Sequence, residues 1–140
     1  MPDDAPRDDF DWVNAQAACT AEMMFPRLLA GVRRDVERRN ALTDRADQFR
    51  FEVTEDGDRF EVIRTIGTPL DTTDVHAAVT FERIGPRINV QGDHVDIDFT
   101  AVVGINPSGA CRFFVAEAEY AEWEVRKLAL EQLLFEEIEE

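Results

Sequence analysis

Three turn-forming dipeptides, Asp56-Gly57, Gly85-Pro86 and Gly92-Asp93, cut the middle of this chain into short runs. Within the runs apolar and polar residues alternate, as in Phe49, Phe51 and Val53 against Arg50, Glu52 and Thr54. A period of two sends successive side chains to opposite faces of a strand, so the segment predicts antiparallel strands joined by hairpins. Closing each hairpin on its dipeptide pairs Val53 with Phe60 and Phe51 with Val62. The second turn pairs Phe81 with Val90, and the third pairs Val90 with Val95 and Ile88 with Ile97. Every pairing lays apolar on apolar, and a slip of one residue would turn a strand's apolar set towards water. Alternation continues through Phe99, Ala101 and Val103. Asn106-Pro107-Ser108-Gly109 signals another turn, after which Cys111, Phe113 and Val115 start a sixth strand.

On either side of this region the period becomes helical. Phe10 to Cys19 predicts a short lead-in helix. Thr20 is an N-cap candidate, with Pro26 a little way inside the helix it opens. Phe25, Leu28, Leu29, Val32 and Val36 then form one apolar stripe. Arg33, Arg34, Arg38 and Arg39 crowd its later turns, where cations suit the helix dipole, and Asn40 is the expected C-cap. From about Glu119 the helical period returns, and Val125, Leu128, Leu130, Leu134, Phe135 and Ile138 make a broad apolar surface. The closing Glu-Glu-Ile-Glu-Glu places negative charge at a helix C-terminus, which the first helix's arginines can offset within the chain or across a dimer.

The fold expected is α+β: an N-terminal helix, a six-stranded antiparallel meander and a C-terminal helix in two layers. Residues 1–9 read as a flexible tail and residues 10–140 as a single domain. The sheet's outer face, with Arg50, Glu52, Glu61, Thr80, Glu82, Asn89, Asp96 and Asp98, is expected to be wet.

Charge narrows the partners. Thirty acidic and 15 basic residues give a net charge of -15, which repels phosphate backbones and anionic membranes alike. A basic protein partner is electrostatically favoured. Residues 1–10 lack the basic and apolar regions of a secretory signal, and no apolar run is long enough to span a bilayer. Cys19 and Cys111 stand far apart without metal or redox spacing, so buried reduced thiols in a cytoplasmic chain are expected.

The catalytic inventory is thin and leans away from an enzyme. Ser108 sits in a turn signal without nucleophile context, Cys111 points to the core, and no phosphate-binding glycine motif is present. No cofactor is expected. His94, Asp96 and Asp98 would share one face of a strand and offer metal-ligand chemistry, with His76 a further candidate. Arg34, Arg38, Trp123, Leu130 and Leu134 are the candidate partner-binding residues, and the C-terminal helix offers a homodimer surface. Phe10, Trp12, Met23 and Met24 form either a flap on the core or an adaptable surface. The leading functional expectation is therefore a protein-interaction module of adaptor, chaperone-like or immunity-like kind. One alternative is a small-molecule binder whose phenylalanines at 49, 51, 60, 81, 99 and 113 line a cavity. The other is a metal-dependent enzyme built on His94, Asp96 and Asp98.

Overall fold

Thr20 opens the long helix of the N-terminal half: its Oγ accepts a hydrogen bond from the backbone N–H of Met23 at 3.1 Å. The computed structural model describes residues 9–42, 49–66 and 75–136, with the side chains of 66, 75 and 76 left aside. A short helix α1 (Trp12–Ala18), capped by Asp11, precedes α2 (Ala21–Ala41). The strands are β1 (Phe49–Asp56), β2 (Arg59–Ile66), β3 (Val75–Ile84), β4 (Arg87–Asp93), β5 (Asp98–Ile105), β6 (Cys111–Val115) and β7 (Ala118–Tyr120). Helix α3 (Glu122–Phe135) follows. The strands lie in the sheet in chain order, every neighbouring pair antiparallel. The expected α+β meander between terminal helices is present, with seven strands instead of six.

The seventh strand replaces what read as the start of the last helix. Ala116 and Glu117 form a two-residue loop between Val115 and Ala118, both at positive φ (51° and 71°). A hairpin loop with two left-handed residues usually carries Asn or Gly, so no turn signal marks it. Glu119 fixes the strand instead. Its Oε2 accepts from Asn106 Nδ2 at 2.8 Å and lies 2.9 Å from Arg112 Nε. Asn106 Oδ1 meanwhile accepts from Ser108 and from the N–H of Ala110, which makes Ser108 a turn residue.

Of the three expected registers, one is observed. Phe81 faces Val90 around Gly85-Pro86. In the first hairpin Asp56 pairs with Arg59, so the loop is Gly57-Asp58 and Val53 faces Val62 rather than Phe60. Gly57 takes the positive φ (66°) at the first loop position, a place that favours glycine. The third turn opens into a longer loop, and Val90 faces Phe99 rather than Val95. Both corrections move the partner by an even number of residues, so the apolar face survives even though its pairings change.

Helix α2 lays Ala21, Met24, Phe25, Leu28, Val32 and Val36 on that face, against Phe51, Phe60, Val62, Val79, Phe81 and Val90. Phe60 stacks on Phe81 with ring centres 4.5 Å apart and tilts against Phe25 at 5.1 Å. Leu28, Val32, Phe60, Val62, Val79, Phe81 and Phe113 are each almost fully removed from water, which supplies the main driving force for the assembly. Asn40 lies inside α2 and is not its C-cap, which is Leu42. Its amide instead brackets Phe51, donating to the carbonyl at 2.9 Å and accepting from the N–H at 3.2 Å. That pairing occupies part of the open edge of β1.

The cysteines are corrected as well. Cys19, between α1 and α2, is joined to Cys111 on β6 by a disulfide with a Cα–Cα distance of 5.5 Å. Nothing in the spacing distinguishes two such residues from isolated core thiols until the fold brings them together. No helix among the described residues is long and apolar enough to cross a membrane.

Candidate functional site: a groove between the long helices

Helices α2 and α3 run side by side in the same direction, Gly31 and Asp35 beside Arg126, and Arg39 beside Leu134. Gly31 permits the close approach, because a Cβ there would stand 2.6 Å from Arg126 Nε. Arg126 bridges the helices: Nη1 donates to Asp35 at 2.7 Å, and Nε and Nη2 donate to the Glu122 carboxylate at 2.9 and 3.0 Å. Burial alone would weaken its hold on the proton, but hydrogen bonds to Glu122 and Asp35 outweigh that and raise its pKa.

Parallel helices bring two partially negative C-termini together, and arginines meet that charge. Arg39 Nε donates to the Leu134 carbonyl at 2.7 Å, while its guanidinium lies over Phe51 and Phe135 at 5.4 and 5.0 Å. Arg64, buried on β2, donates through Nη1 to the carbonyls of Leu133 and Glu136 at 2.9 and 2.8 Å. Desolvation, and then the nearby Arg39 charge, lower the Arg64 pKa. At the other end of α3, Glu124 accepts from the N–H of Ala121 at 2.7 Å, half of a capping box because alanine offers no side-chain acceptor.

Above this framework a groove of about 450 Å³ opens between the helices. Leu130 and Leu134, at 1% and 6% exposure, form its floor. Leu42, Trp123 and Phe135 stand on its rim, 70%, 57% and 65% exposed. Arg38, Lys127 and Glu131 add charge around them. Lys127 pairs with Glu131 at 3.1 Å along α3, and Arg38 approaches Asp35 at 3.7 Å.

Of the five residues expected to bind a partner, Arg38, Trp123, Leu130 and Leu134 meet at this groove, the leucines as its buried floor. Arg34 does not join them; it borders a separate depression with Met24, Arg27, Ala30 and Glu122. Leu42 was missed, since a lone leucine after a helix carries no pattern.

The loop after β4 separates the residues proposed for metal. His94 is at φ 67°, Asp96 lies in the loop, and only Asp98 begins a strand, so the shared strand face expected for them does not form. Among the described residues no three His, Cys, Asp or Glu side chains gather closely enough to hold a metal ion. The His76 side chain lies outside the described residues. Both cysteines are consumed by the disulfide, which leaves no thiol nucleophile. Of the rings expected to line a cavity, Phe51, Phe60, Phe81 and Phe113 are buried in the core. Near the N-terminus, the Phe10 ring lies so close to Gly109 that a Cβ there would meet it at 2.8 Å. Met24 is buried, while Trp12 and Met23 stay exposed.

No protein-family model, curated protein or solved structure matches the chain.

Proposed function

We propose that this chain is a protein-interaction module whose contact surface is the α2–α3 groove. The observation that carries the reading is the exposure of Leu42, Trp123 and Phe135 around one apolar floor. Tryptophan and arginine are enriched among the residues that dominate the binding energy of protein interfaces, and Trp123 and Arg38 both line this groove. Exposed aromatic and aliphatic side chains gathered around one groove mark an interaction surface. The net charge of -15 supports protein over nucleic acid as the partner class, and a basic partner gains most from the long-range field. The expectation of a cytoplasmic setting included reduced thiols; the Cys19–Cys111 bond removes that part of it, since such bonds persist mainly in oxidising compartments.

The test is photo-crosslinking in the native host from a probe placed at Lys127, in the wild-type background and with Trp123→Glu. A discrete adduct in the wild type that Trp123→Glu abolishes supports the reading. No adduct, or one that Trp123→Glu leaves unchanged, overturns it.

A further inference from the structure

The exposed face of α3 has an internal symmetry. Trp123, Lys127, Glu131 and Phe135 follow one another at intervals of four and form a single ridge. All four are more than half exposed, Lys127 and Glu131 by their side chains at 59% and 52%. Read backwards about Ala129, the ridge maps aromatic onto aromatic and cation onto anion: Trp123 exchanges with Phe135, and Lys127 with Glu131. A two-fold dimer contact requires a surface complementary to its own reversed copy. Resting on the reading of this face as an interaction surface, we propose that its occupant is a second copy of the chain. The two α3 helices cross antiparallel, Trp123 of each beside Phe135 of the other, and Lys127 of each opposite Glu131 of the other.

Charge is the apparent obstacle, because each copy carries -15. The face itself is nearly balanced, with Arg38 beside Asp35, Lys127 beside Glu131, and Arg126 held by Asp35 and Glu122. Repulsion between the remaining charges acts over longer distances, and at physiological salt it is screened beyond about 8 Å. The interhelical pairs form at contact, where screening is weakest. The ridge also runs along i and i+4 positions, whose interdigitation gives the commonest crossing geometry of packed helices.

Charge reversal tests the pairing separately from the intrahelical Lys127–Glu131 contact. In K127E alone, and in E131K alone, like charges face each other across the two-fold axis, and sedimentation should show self-association at least about tenfold weaker than wild type. An equimolar mixture of the two variants restores opposite charges at both contacts, so dimers should reappear there, although neither variant regains its own intrahelical pair. W123E should be monomeric, with α-helical circular dichroism unchanged. A wild-type protein that sediments as a monomer at about 0.5 mM, or a mixture no more associated than its components, overturns the proposal. Either result leaves the interaction reading to the crosslinking experiment, in which an adduct with a different protein is the surviving outcome.

Discussion

The guanidinium of Arg64 lies 3.8 Å from the ring centre of Phe49 on the neighbouring strand, while its Nη1 holds the last carbonyls of α3. One side chain thus ties the sheet to the C-terminal end of α3, beside the Glu136 N–H that caps the Gln132 carbonyl. Arg64→Ala removes the arginine's hydrogen bonds and opens a void, and should cost about 3 kcal/mol. Arg64→Met fills part of the void with an apolar side chain and removes the desolvated charge, and should cost about half as much. Urea unfolding of both variants checks the order; equal losses would show that the packing stem contributes nothing.

The Cys19–Cys111 bond closes a loop of 92 residues in sequence separation. A crosslink of that span is expected to contribute about 4–5 kcal/mol, chiefly by restricting the unfolded chain. Cys19→Ser with Cys111→Ser should lower the denaturation midpoint accordingly, and wild-type protein in reducing buffer should match the double variant.

Ala116 and Glu117 hold left-handed conformations that ordinary residues occupy at a cost of about 1 kcal/mol each. Replacing them with Asn and Gly, the pair this loop geometry favours, should raise stability by about 1 kcal/mol. Thermal unfolding measures it. A loss of stability would mean that the alanine and glutamate side chains contribute contacts of their own.

Gly31→Ala sets helix propensity against geometry. Alanine gains about 1 kcal/mol in an α-helix, but its Cβ would displace the Arg126 guanidinium from Asp35 and Glu122. The half-buried bridge is expected to dominate, for a net loss of about 1 kcal/mol. In an Arg126→Ala background the same Gly31→Ala change should instead stabilise by about 1 kcal/mol, since no bridge is left for the new Cβ to displace.

Much of the fold was legible because alternation and helical spacing are local signals. The faces of β1 to β6 followed from them, as did the Thr20 cap and the stripe from Phe25 to Val36. The partners across β1–β2 and β4–β5 were not legible, because an even slip preserves the face and only loop geometry decides between registers. The β7 hairpin was hidden by Ala116 and Glu117, which do not resemble turn residues. The disulfide depends on two residues meeting through tertiary structure, and composition alone argued for reduced thiols. At the groove, Arg38 and Trp123 were recognisable as residue types suited to binding. The burial of Leu130 and Leu134, and the approach of Leu42, depend on how α3 settles against α2.

The strand order β1 to β7 bears on how the molecule assembles. Each strand's neighbours in the sheet are its neighbours in the chain, so the sheet is built from a succession of local hairpins, each of which closes in about microseconds in isolation. The costly search is reserved for the two ends of the chain, where α2 must find α3 across the length of the meander. The contacts of longest sequence separation are therefore those between α2 and α3, and closing them carries the largest loop entropy. In the folded chain α2 is what keeps Phe51, Phe60, Val62, Val79, Phe81 and Val90 from water, so loosening that one helix would lay bare most of the sheet's apolar face at once.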